Sequence, residues 1–102
     1  MTLAGQSTAP SPRFEATLAD ARVKAKLGKW AQAREELESM LASARKSGFR
    51  SYEFEARLAL GEIDQWSGST SAVAQLTALE RDARAQGLLL IANQAHALSQ
   101  AK

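Results

Sequence analysis

Apolar and polar positions alternate along most of the chain with a period near 3.6, the spacing of one face of an α-helix. Phe14, Leu18, Ala21 and Ala25 stand at i, i+4, i+7 and i+11 and predict a helix over 12–27. Ser11-Pro12 opens it, because a Ser side chain can accept from free N–H groups and Pro suits the first helical position. Trp30, Ala33, Leu37, Met40/Leu41 and Ala44 predict a second helix over 30–47. Tyr52, Ala56, Ala59, Ile63 and Trp66 predict a third over 50–66. These stripes place Trp30 and Trp66 in the core. Phe54, Leu58 and Leu60 lie off the third stripe, so that helix is apolar on more than one side and should be central. Two more follow: 70–86, with Ala72 or Val73, Leu76, Leu79 and Ala83 inward, and 88–100, with Leu88, Ile91, Ala95 and Leu98 inward. Connections this short make consecutive helices antiparallel neighbours.

One phrase is written twice. Ala44 to Phe49 reads Ala-Arg-Lys-Ser-Gly-Phe, and 39 residues later Ala83 to Leu88 reads Ala-Arg-Ala-Gln-Gly-Leu. At that offset Leu37 matches Leu76, Met40 matches Leu79 and Tyr52 matches Ile91. Gly48 and Gly87 fall where a left-handed helix cap belongs. A helix–turn–helix unit repeating at this length is the pattern of an α-solenoid. The expected fold is all-α: antiparallel helix–turn–helix repeats, about five helices, a right-handed solenoid fragment over 11–102. Residues 1–10 are small and polar, with Gly5 and Pro10, and read as a flexible linker.

Composition narrows the chemistry. Ala, Leu, Arg, Glu, Gln and Lys are strong helix formers and dominate. The net charge of +2 is spread, with Lys and Arg set among Asp and Glu. Without Cys there are no disulfides or thiolate metal sites, and the single His96 falls short of a zinc set, so no metal or cofactor is expected. No Gly-rich phosphate loop, Ser elbow or His–carboxylate pair at helical spacing is present, so no enzyme is expected. No apolar run approaches the roughly 20 residues that span a membrane. A basic region followed by an apolar stretch, the mark of a secretory leader, is missing from the first ten residues. The expected location is cytoplasmic, with a periplasmic part of a larger protein left open.

The stretch Gly28 to Leu41, "GKWAQAREELESML", resembles the turn and second helix of a tetratricopeptide repeat (TPR). Gly28, Trp30, Ala33, Leu37 and Met40-Leu41 match that pattern in order, and Ala21 stands where its first helix carries a small residue. The chain departs from it in a period of 39 against 34, in Ser67 to Thr70 replacing the turn aromatic, and in lacking a closing Pro. Similar Ala-Arg-rich segments end the repeat arrays of bacterial signalling proteins and regulators. The resemblance implies a protein or peptide interaction module within such a larger protein.

It also implies a groove lined by the first helix of each unit. The 39-residue offset sets Glu15, Phe54 and Asn93 in one row, Leu18, Arg57 and His96 in the next, and Arg22, Gly61 and Gln100 in a third. Lys26, Asp64 and Gln65 fall near its edge. Arg22, Lys26 and Arg57 would meet a carboxylate or an extended peptide. The competing reading is that these are solvated faces of amphipathic helices. Four consecutive large apolar residues, Leu88 to Ile91, cannot all face one neighbour. Leu89 or Leu90 then points outward, toward a missing repeat, another domain of the chain or a second copy. Self-association through these leucines is the first alternative. A nucleic-acid-associated domain built on Arg13, Arg22, Lys24, Lys26 and Lys29 is the second, and Glu15 and Asp20 interrupt it, so nucleic acid is not the expected partner.

Overall fold

The computed structural model describes residues 11–100; the linker expected over 1–10 and the last two residues of the repeat domain lie outside them. There are five helices and, among the described residues, no strand: α1 (Pro12–Lys26), α2 (Trp30–Ser47), α3 (Arg50–Trp66), α4 (Ala72–Ala85) and α5 (Leu89–Gln100). Ser11 caps α1 from an extended backbone, its Oγ accepting the Phe14 N–H at 3.3 Å. Each of the first four helices ends in one device. The N–H groups of Lys29, Phe49, Ser69 and Leu88 donate back to the carbonyls of Lys24, Ala44, Asp64 and Ala83 at 2.8–2.9 Å. The residue before each donor is a glycine, and Gly48 and Gly87 have φ of 77° and 79°. A side chain there would crowd the following carbonyl.

α4 starts at Ala72, two residues later than the sequence suggests. Ser69 holds a turn first: its Oγ accepts the Ser71 N–H at 3.3 Å, and its carbonyl accepts the Ala72 N–H at 3.4 Å. Short hydroxyl side chains compete in this way with helical bonding.

α3 is the centre and borders the other four helices. α1, α3 and α5 adjoin in that order, whereas α2 and α4 do not meet among the described residues. Two cores form on two faces of α3, as its doubled apolar pattern requires. Tyr52, Ala56, Ala59 and Ile63 pack with Phe14, Leu18, Leu37 and Met40. Phe54 and Leu58 pack with Leu76, Leu79, Ile91 and Ala95. Each such Leu contributes roughly 1.5–3 kcal/mol by leaving water. Phe14, Phe49 and Tyr52 close the first core, with ring centroids 5.1–6.3 Å apart. The Tyr52 hydroxyl accepts the Ser11 N–H at 2.7 Å and donates to Glu15 at 2.8 Å, and burial pushes its pKa up. A radius of gyration of 13.3 Å is that of a globule of this length.

Sequence matches within the chain run at two offsets. α2 and α4 match at 39 residues, where Ala33/Ala72, Leu37/Leu76, Met40/Leu79 and Ala44/Ala83 are all buried. α1 and α3 match at 40. Phe-Glu-Ala-Thr-Leu-Ala from Phe14 returns as Phe-Glu-Ala-Arg-Leu-Ala from Phe54. The one-residue slip falls after Gly28 and Gly68, which share the left-handed conformation. At this offset Ala21 matches Gly61. A Cβ on Gly61 would stand 2.5 Å from Leu76 Cδ2, so the Leu76 side chain of α4 would have to shift to admit an alanine there.

Candidate functional site

The groove residues read from the sequence do not form one surface. Phe54 is 5% exposed and belongs to the second core, because α4 and α5 cover the face of α3 on which it lies. Asp64 is 3% exposed and pairs with Arg34 across α2 and α3, while its Oδ2 is buried without a donor. Neither lines a groove. Arg57 is half-buried, donates to Asp82 of α4 at 2.9 Å and lies 5.2 Å above the Phe54 ring. That guanidinium clamps α3 to α4 and holds the Asp82 carboxyl below its usual range. Arg22, Lys26, Asn93 and His96 are exposed. Arg22 stands 3.8 Å from Glu62, and His96 Nδ1 lies 3.1 Å from Glu80 of α4. The rows failed at α1, which aligns with α3 at 40 residues and not 39. Lys24, one of the cations considered for nucleic acid, bridges Asp20 at 2.9 Å and Glu36.

Two surfaces emerge that periodicity did not mark. The first is an end of the bundle. Helices of alternating direction bring the α1–α2 and α3–α4 turns to one end. Leu27, Trp30, Trp66 and Val73 surround these turns and are exposed, with Val23 one turn below. The stripes put both tryptophans in the core, but Trp30 is 39% and Trp66 46% exposed. Each occupies the terminal position of its helix, beyond the layer that neighbouring helices cover. Lys26 and Lys29 stand beside Leu27 and Trp30 in the chain, and neither Leu27 to Arg34 nor Gln65 to Leu79 contains an Asp or Glu. The end is therefore apolar and basic.

The second surface is a cleft of about 440 Å³ between α1 and α2. Phe14 and Met40 form its floor, and Asp20, Glu35 and Glu36 face Arg13 around its rim. Lys24, beside the rim, has its pKa raised by its hydrogen bonds to Glu36 and Asp20, and holds Asp20 below its usual range in return. Leu89 and Leu90 form a separate exposed pair at the start of α5, at 57% and 71%. Among the described residues no group of three His, Cys, Asp or Glu is placed to hold a metal ion, and no helix is long and apolar enough to cross a membrane. No family model, curated protein or solved structure matches the chain.

Proposed function

We propose that the chain is a TPR-like helical repeat module that binds another protein or a peptide. The duplicated Phe-Glu-Ala-x-Leu-Ala segments, the small residues Ala21 and Gly61 at matching places, and the α1–α3–α5 packing order support a solenoid layout. The observation that carries binding is the apolar, basic end. Leu27, Trp30, Trp66 and Val73 each remain exposed around the two turns, in a chain that buries its other large apolar stripes. Exposed apolar patches of this kind mark interaction sites, and Trp is enriched where binding energy concentrates. Lys26 and Lys29 suit a partner with an acidic rim.

The test is affinity capture from cells of the source organism with the wild-type chain and with Trp30→Ala/Trp66→Ala. A specific partner should be recovered by the first and lost roughly tenfold by the second, with an unchanged thermal midpoint. Equal recovery by both would remove the assignment. A second reading, self-association, is favoured by the exposure of Leu89 and Leu90. Sedimentation equilibrium decides it: a chain monomeric at every concentration is not a dimerisation module, whereas a dimer abolished by Leu89→Gln/Leu90→Gln is one.

A further inference from the structure

The cleft between α1 and α2 has a counterpart in the second helix pair, and that counterpart already has a third helix against it. At the two offsets Thr17 and Asp20 match Arg57 and Leu60, and Glu36 and Ser39 match Gln75 and Ala78. Arg57, Leu60, Gln75 and Ala78 line a smaller hollow of about 240 Å³ whose remaining wall is Leu41 and Arg45 of α2. The lining of the α1–α2 cleft comes from α1 and α2 alone. One groove is therefore flanked by a helix that presents a leucine and an arginine one turn apart. The other is nearly twice as large and open.

We infer that the α1–α2 cleft receives an amphipathic helix of another protein, basic along its polar flank. Shape follows from the counterpart, since a helix flanks the matching groove in this fold. Charge selects the occupant. Three carboxylates, Asp20, Glu35 and Glu36, outnumber Arg13 in the lining and Lys24 beside it. Lys24 bonds Glu36 through Oε2, which leaves Oε1 buried with no donor. Glu35 is exposed at the rim, where an incoming Lys or Arg can pair with its carboxylate. An apolar side chain one turn from that cation would rest on Phe14 and Met40, as Leu41 and Arg45 are paired on α2. The chain's own residues 1–10 contain no Lys or Arg side chain to meet these carboxylates. A second copy's α2 keeps Leu41 packed inside its own fold. The inference deepens the interaction reading and rests on it only in taking the partner to be protein; the surface involved is a different one.

The probe is a fluorescent helical peptide of about 18 residues, five turns long, with a Leu stripe flanked by Lys and Arg. A control keeps the stripe and carries Glu in place of each cation. With the full chain the basic peptide should bind roughly tenfold tighter than the acidic one, and added salt should narrow the gap. Ala16→Arg and Ser39→Arg, at exposed positions beside the cleft, should each weaken it roughly tenfold without shifting the thermal midpoint. Either variant serves if the other fails to fold. Trp30→Ala should leave peptide binding unchanged, so the cleft and the apolar end can fail separately. Equal affinity for both peptides overturns the inference, as does binding that survives Ala16→Arg and Ser39→Arg. So does a shift of the amide signals of residues 2–9 when Ala16→Arg is made in the free chain, which would assign the cleft to the chain's own first residues.

Discussion

The α1–α2 and α3–α4 pairs share an interior and differ at an edge. Phe14 and Phe54, Leu18 and Leu58, and Leu37 and Leu76 are buried at matching places. On the opposite face of the first helix the agreement of residue types continues while burial does not. Ala16, Ala19 and Val23 are exposed, and their matches Ala56, Ala59 and Ile63 are buried. Asp20 against Leu60 and Pro12 against Tyr52 are the departures on that face. Burial is thus set by which helix arrives next.

That comparison can be broken most forcefully by exchanging the edge residues. Leu60→Asp should cost about 3–5 kcal/mol, because it removes a buried side chain and leaves a carboxylate in the first core. Asp20→Leu should change stability by less than about 1 kcal/mol, since Asp20 is exposed and its bridge to Lys24 lies at the surface. Urea denaturation of both reads the asymmetry, and comparable losses would show that the two faces are not distinguished by coverage.

The shared interior predicts equality. Leu37→Ala and Leu76→Ala remove fully buried side chains and should each cost about 3–5 kcal/mol, within about 1 kcal/mol of one another. A large difference in denaturation midpoint would mean that one pair is packed more loosely than its twin. The small position sharpens the contrast. Gly61→Ala places a methyl against the buried Leu76 and should cost about 1–3 kcal/mol despite the better helix propensity of alanine. Ala21→Gly, at the matching place, should cost about 1–2 kcal/mol, the propensity difference together with the lost buried methyl. A Gly61→Ala variant as stable as the wild type would show that Leu76 can move aside.

The smallest effects are electrostatic. Arg57 holds Asp82 below the ordinary Asp value of 3.8, so the contribution of Asp82 is complete at neutral pH and is lost as pH falls through its folded value. Burial holds Glu62 above the ordinary Glu value of 4.5. Its charge therefore opposes folding at neutral pH, and the opposition lifts as pH falls through the folded value toward 4.5. Asp82→Asn should lower the denaturation midpoint at neutral pH and match the wild type in strong acid. Glu62→Gln should raise the midpoint at neutral pH and lose that advantage in acid. Midpoints followed across pH test both signs.

Much of the fold was legible because its signals are local. Ser11-Pro12 starts a helix, Gly48 and Gly87 stop two, and the doubled apolar pattern of α3 marks it as central. The matching segments at Phe14 and Phe54 were legible too, but a single offset of 39 hid them, since a turn can absorb one residue without disturbing either helix. The tryptophans show a second limit. Periodicity gives the angle of a side chain around its helix, not whether a neighbour extends far enough to cover it. Trp30 and Trp66 have the core-facing angle at the wrong height. The α1–α2 cleft was illegible in principle, because it consists of a place that no helix fills. The groove assigned to Phe54 and Asp64 failed for the converse reason, as both were already covered.

Among the described residues, no helix packs against one more than two places along the chain. The consequence is kinetic. Every helix can find its partners before a distant part of the chain is made or ordered, and little loop entropy has to be lost at any one step. The expected folding time is microseconds to milliseconds. Because α1 does not touch α5 among the described residues, local opening of α5 is expected to leave α1 in place.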